Sequence, residues 1–115
     1  MVFTKVLAAA LLTAAACAAG STAAGAWSCT NESDTGMTSK WTLSIREADS
    51  QLTGKLTDGE VEIPLTEVKH EGATLSFKFF VNAKPYTFDG KAAAKEITGK
   101  YAGEEARGTL SCRKP

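Results

Sequence analysis

Trp41-Thr42-Leu43-Ser44-Ile45-Arg46-Glu47-Ala48-Asp49-Ser50-Gln51-Leu52-Thr53-Gly54-Lys55-Leu56 decides the fold class of this chain. Trp41, Leu43 and Ile45 alternate with Thr42, Ser44 and Arg46, and Leu52, Gly54 and Leu56 alternate with Thr53 and Lys55. A period of two sends successive side chains to opposite faces of an extended backbone, so each run reads as a strand with one apolar face. The short polar stretch from Glu47 to Gln51 joins them as a hairpin.

The same period continues along the chain. After an Asp58-Gly59 turn, Val61, Ile63 and Leu65 give a third apolar face, interrupted by Pro64, which cannot donate to a ladder and argues for a bend or edge. Beyond Val68, His70 and a Glu71-Gly72 turn, Leu75, Phe77, Phe79 and Val81 lie on one side, with Ser76, Lys78 and Phe80 on the other. Asn82-Ala83-Lys84-Pro85 turns the chain and Tyr86 and Phe88 open the next strand. Gly90 to Lys95 is too short to stand as a helix and reads as a turn. Ile97, Gly99 and Tyr101 then lead through Gly103-Glu104-Glu105 to Ala106, Gly108, Leu110 and Cys112.

With Trp27-Ser28-Cys29 as the first, this makes about eight short strands at intervals of about ten residues, which predicts an all-β, antiparallel up-and-down meander closed into a small barrel. Pairing the first strand with the last sets Cys29 and Cys112 on one side, where a disulfide is feasible, and leaves no exposed edge. Closing the roughly 82 residues between them is worth up to about 4 kcal/mol in the chain-entropy account. Leu52-Thr53-Gly54-Lys55-Leu56 reappears as Ile97-Thr98-Gly99-Lys100-Tyr101, with an echo at Phe88-Asp89-Gly90-Lys91. An inward glycine there provides curvature or room for a large neighbour.

The chain of 115 residues opens on a segment that does not belong to this pattern. Lys5 and the apolar run from Val6 to Ala16 read as a helical signal peptide, too short to span a bilayer. Two processing readings compete. Signal peptidase cleavage among the small residues between Ala16 and Ala26 gives a leader of residues 1–25. A lipobox-like Thr13-Ala14-Ala15-Ala16-Cys17, with Ala14 where Leu is usual, instead gives a leader of residues 1–16, a lipid anchor on Cys17 and a tether over 18–26. The barrel domain is then 27–115, exported to the periplasm or the extracellular space or held as a lipoprotein. An exported chain left with two cysteines reads as carrying one disulfide. Of 13 basic residues, Lys5 falls in the leader, which leaves 12 against 13 acidic ones; they are interspersed, which argues against a nucleic-acid partner. No second apolar stretch is suited to crossing a membrane.

Trp-x-Leu-x-Ile (41–45), Leu-Thr-Gly-x-Leu (52–56), Glu-Ile-Pro-Leu (62–65), Glu-Gly-x-x-Leu-Ser-Phe-x-Phe (71–79), Phe-x-Gly-Lys (88–91), Ile-x-Gly-x-Tyr (97–101) and Arg113-Lys114 together resemble the small exported, lipocalin-like β-barrel proteins of environmental bacteria. The similarity runs from Trp27 to Arg113. It implies the fold and names no activity, site or cofactor; the cysteine pair looks like a staple added to that pattern.

The chemical inventory is thin. His70 is the only histidine and reads as a surface residue, with no base–nucleophile pairing to Ser44 or Ser76 inferable. Glu60 and Glu62 share a strand face and have the residue types of a glycosidase pair, yet opposite Val61 and Ile63 they read as a solvated outer face. Asp89 becomes partly buried only if its strand slips by one register. Asp58-Gly59-Glu60 is too short for a calcium loop, the Gly-Lys pairs lack the rest of a phosphate loop, and Asn31-Glu32-Ser33 matches a glycosylation triplet of the kind that arises by chance. No cofactor or metal is implied. Trp41, Phe77, Phe79, Tyr86, Phe88 and Tyr101 either fill an eight-stranded interior or line a ligand cavity, whereas Phe80 faces away and marks a contact patch or packs under a loop. The expectation is a non-enzymatic barrel that binds a small apolar ligand or a protein partner. A periplasmic inhibitor of lysozymes or proteases is the alternative, and a glycoside-active enzyme the more distant one.

Overall fold

The computed structural model describes residues 23–115. Cys17 and the expected leader lie outside them, except that the longer leader reading, 1–25, overlaps them at 23–25. Eight strands follow in order, β1 (Gly25–Ser33), β2 (Thr38–Ala48), β3 (Gln51–Thr57), β4 (Glu62–Glu71), β5 (Thr74–Val81), β6 (Lys84–Ala92), β7 (Glu96–Gly103) and β8 (Arg107–Arg113). Each pairs antiparallel with the next and β8 returns to β1, so the sheet is a closed up-and-down barrel. β1 starts at Gly25, two residues ahead of the expected boundary at Trp27, and the buried Ala23 packs with it.

The alternation survives as an inside and an outside. Trp27, Cys29, Leu43, Ile45, Leu56, Ile63, Leu65, Leu75, Phe77, Phe79, Phe88, Ile97, Leu110 and Cys112 point inward and are buried, and no polar residue is fully buried among the described residues. Cys29 stands opposite Cys112 in the β1–β8 register, and the two form the expected disulfide. Tight hairpins join β2 to β3 through Asp49 and Ser50 and β5 to β6 through Asn82 and Ala83, all four at positive φ (54°, 65°, 54° and 66°). Two residues at positive φ match the right-handed twist of the flanking strands. The second turn is therefore shorter than read, because Lys84 and Pro85 already belong to β6. β6 likewise runs on through Gly90, Lys91 and Ala92, which leaves only 93–95 as the next turn.

Two local readings are corrected, and the register slip that would bury Asp89 does not occur. Val61 does not continue the inner face of Ile63 and Leu65; it is 51% exposed in a turn held by Asp58, whose carboxylate accepts the N–H groups of Glu60 and Val61, each at 2.9 Å. Those bonds, Val61's first, hold the Asp58 carboxyl below its usual range. His70 is half-buried, not a surface residue. Glu67 sits at φ 51°, where the register of β4 on β5 shifts between Thr66 and Lys69. That bulge moves Val68 and His70 onto the inward phase, with His70 opposite Leu75. Asp89 is exposed, because Phe77 faces Phe88 in an unshifted ladder.

The inward glycines make room. A Cβ on Gly99 would lie 2.6 Å from the tip of the Phe88 ring and 2.4 Å from the Asp89 carbonyl oxygen, so the ring lies flat where only hydrogen fits. One end of the barrel is sealed. The Trp27 indole N–H donates to the Ala23 carbonyl at 3.0 Å, and the Lys114 ammonium lies 5.0 Å from the centre of the same ring, a cation–π contact.

Closure follows from the inward face, with the disulfide fastening it. A Cys29→Ala/Cys112→Ala variant should keep its β-sheet circular dichroism at room temperature and lose up to about 4 kcal/mol in urea unfolding. Leu110→Asp, which puts a charge on the inner face of β8, should not fold at all. An unfolded cysteine-free variant reverses that order.

Candidate functional site

The structure divides the six aromatics that the sequence names as core or cavity lining into two groups. Phe77 and Phe88 are 1% and 0% exposed and stack across β5 and β6 with ring centres 4.6 Å apart; they are core. One step higher on the same strands, Phe79 stacks on Tyr86 at 5.4 Å, and Tyr101 from β7 stands tilted by 53° to Tyr86. With Trp41 they wall a cavity of about 180 Å³, completed by Asn31, Leu56, Ile63, Val81 and Ala106. The cavity lies at the end that carries the turns 34–37, 58–61, 82–83 and 104–106, opposite the Trp27 seal.

The strands' stagger explains why a cavity forms here. The register carries Trp27 to Leu43, Leu56 and Ile63 on successive strands, so inward layers climb obliquely from the sealed end to the open one. At the open end the layer above Cys29 is Asn31, a polar residue where the alternation calls for an apolar one. Tyr101 donates its hydroxyl hydrogen to Asn31 Oδ1 at 2.6 Å, and Asn31 Nδ2 donates to Ser39 Oγ at 3.1 Å. Ser39 Oγ also accepts the Trp41 indole N–H at 2.9 Å. Asn31 and Ser39 are register partners, so the β1–β2 hairpin supplies every member of the chain of bonds but Tyr101, which comes from β7. Tyr101 reaches it by passing over Gly108, where a Cβ would lie 2.6 Å from its hydroxyl.

The sequence reading passes over Ser39 and names Asn31 only in a chance glycosylation triplet. The signal was there: Asn31 continues the inward phase of Trp27 and Cys29, and Ser39 that of Trp41. Within the glycosylation triplet the Asn31 amide is engaged, its oxygen by Tyr101 and its nitrogen by Ser39. No charged side chain lines the cavity among the described residues. The Lys84–Glu105 pair lies outside this lining and is largely solvated.

Phe80 faces outward as expected and is 56% exposed, with Met37 and Val61 exposed on or near turns of the same end. Glu60 and Glu62 do not share a cavity: both are exposed, and Glu62 pairs with Lys55 at 3.1 Å. A second concavity lies where β3 and β4 part below their three paired positions. Glu47, Glu67, Lys69 and Glu71 make it a solvated, charged cleft, with Val68 and His70 on its wall. Among the described residues no group of three or more His, Cys, Asp or Glu side chains is placed to hold a metal, and no helix is long and apolar enough to cross a membrane.

Burial pushes the Tyr101 phenol above its ordinary value of 10.0, the hydrogen bond to Asn31 being a smaller, opposing effect. A raised phenol favours the neutral form in the folded state, so its contribution to stability is complete below pH about 10 and is lost as the pH rises through the folded value. Ultraviolet titration should show a late-ionising tyrosine that Tyr101→Phe removes. Both tyrosines ionising together at the ordinary value contradict a desolvated Tyr101.

Comparison with known proteins bears on the fold alone. No protein-family model matches the chain, and no curated protein matches it. Among solved structures it is similar to a redesigned β-barrel, with a TM-score of 0.62 and 12% identity over 84% of this chain and 95% of that one; the likeness is one of barrel architecture.

Proposed function

We propose that this protein is an exported, non-enzymatic β-barrel that binds a small apolar ligand in its open mouth. The observation that carries the reading is the cavity itself. Eight strands leave an interior just wide enough for side chains to fill. Here the Trp27 end is filled, while the opposite end keeps about 180 Å³ between Trp41, Phe79, Tyr86 and Tyr101. Aromatic walls with a few convergent polar groups are the usual make-up of a ligand site. Export is supported by the leader-like start of the sequence and by the disulfide, which suits an oxidising compartment.

A protein partner is the second reading, favoured by Met37, Val61 and Phe80, which are 71%, 51% and 56% exposed on or near the turns of the mouth end. Isolated exposed apolar residues are common, however, and none of the three lines the cavity. A hydrolase inhibitor would be the protein-binding version of the same surface.

Two tryptophans at opposite ends make the small-ligand reading directly testable. Titration with toluene or p-cresol should shift the Trp41 indole N–H resonance saturably and leave that of Trp27 in place. Ala106→Leu, which adds bulk to the lining, should abolish the response at an unchanged melting temperature. If neither probe moves Trp41 in the folded protein, the mouth is not a ligand site.

A further inference from the structure

Resting on the mouth as a ligand site, we infer that it selects a neutral, single-ring aromatic compound carrying a hydroxyl or carbonyl group, such as a phenol or an aromatic aldehyde, and discriminates against carboxylates and amines. Size sets the first limit. A cavity of about 180 Å³ is well below the roughly 300–1,000 Å³ of sites for drug-sized molecules and close to the roughly 150 Å³ that accommodates benzene. A single ring fits within it. Shape sets the second. The stacked Phe79–Tyr86 pair and the tilted Tyr101 ring offer a flat wall and an edge, the two surfaces on which another ring packs best.

The polar groups decide the rest. Asn31 and Tyr101 are the hydrogen-bonding residues facing the cavity that are already tied to each other. Asn31 Nδ2 uses one hydrogen on Ser39 and keeps a second to donate, and the Tyr101 oxygen, having donated its own hydrogen, is left to accept. The pair therefore answers a hydroxyl or carbonyl from either side. It offers no counter-charge. A carboxylate or ammonium entering would be desolvated without an ionic partner, which is costly. The burial that pushes the Tyr101 phenol up acts in the same sense.

An isosteric series tests the assignment on the folded protein: p-cresol, toluene, 4-methylbenzoate and 4-methylbenzylamine at neutral pH, followed by the Trp41 indole and Asn31 side-chain resonances. The expected order places p-cresol about tenfold tighter than toluene, the worth of one hydrogen bond, with both charged compounds weaker than toluene. In Asn31→Ala the ratio of p-cresol to toluene affinity should fall to about one, and in Tyr101→Phe it should fall in part. Equal binding of 4-methylbenzoate or 4-methylbenzylamine and p-cresol, or equal binding of p-cresol and toluene, overturns the selectivity while the ligand site stands. Silence from all four compounds overturns the site itself.

Discussion

The return of β8 to β1 is the constraint on which everything else depends. Without it the sheet has two free edges and no inside, and the inward-facing rings and aliphatics of eight strands have nothing to pack against. With it, Cys29 meets Cys112, Asn31 meets Leu110 and Ser33 meets Gly108, and the inner face becomes a single enclosed column. The disulfide acts on this arrangement from the side of the unfolded chain, where it removes conformations, more than from the side of the native one. It suits a domain of this size, whose core alone leaves a small margin of stability.

Closure also divides the column along its length. At one end Ala23, Trp27 and Lys114 close the column, joined by a hydrogen bond and a cation–π contact. In the middle Phe77 and Phe88 stack over glycine backbone. At the other end the side chains are as large but stand apart, because Asn31 draws Tyr101 to one side through its hydroxyl and Ser39 fixes the Trp41 indole. Polar bonds at the rim thus hold open a space that apolar packing would otherwise reduce. The same bonds make its character neutral and amphipathic.

Much of this was legible in the sequence because a strand's period is strict. The alternation places Leu43 and Ile45, Phe77 and Phe79, Leu110 and Cys112 inward with no knowledge of the neighbours, and the first and last strands carry cysteines in the same phase. What escaped depends on two strands at once. The bulge at Glu67 arises where β4 must change its register against β5, and nothing in Thr66-Glu67-Val68 announces it; His70 turns inward as a result. Val61 keeps the alternation in sequence but loses it in space, because the Asp58 carboxylate ties the chain into a turn first. Which aromatics are core and which line the mouth is set by the stagger of the barrel, which no single strand encodes. Asn31 was visible as a polar residue on an apolar face, but its partner Tyr101 lies 70 positions away.

A crystal structure determined under xenon pressure addresses the central claim, a closed barrel packed at one end and open at the other, most directly. Xenon enters apolar cavities without demanding a hydrogen bond. Xenon should bind between Trp41, Phe79 and Tyr86, and not beside Trp27. A mouth that takes up no xenon because its rings have collapsed together, or a site at the Trp27 end instead, would contradict it.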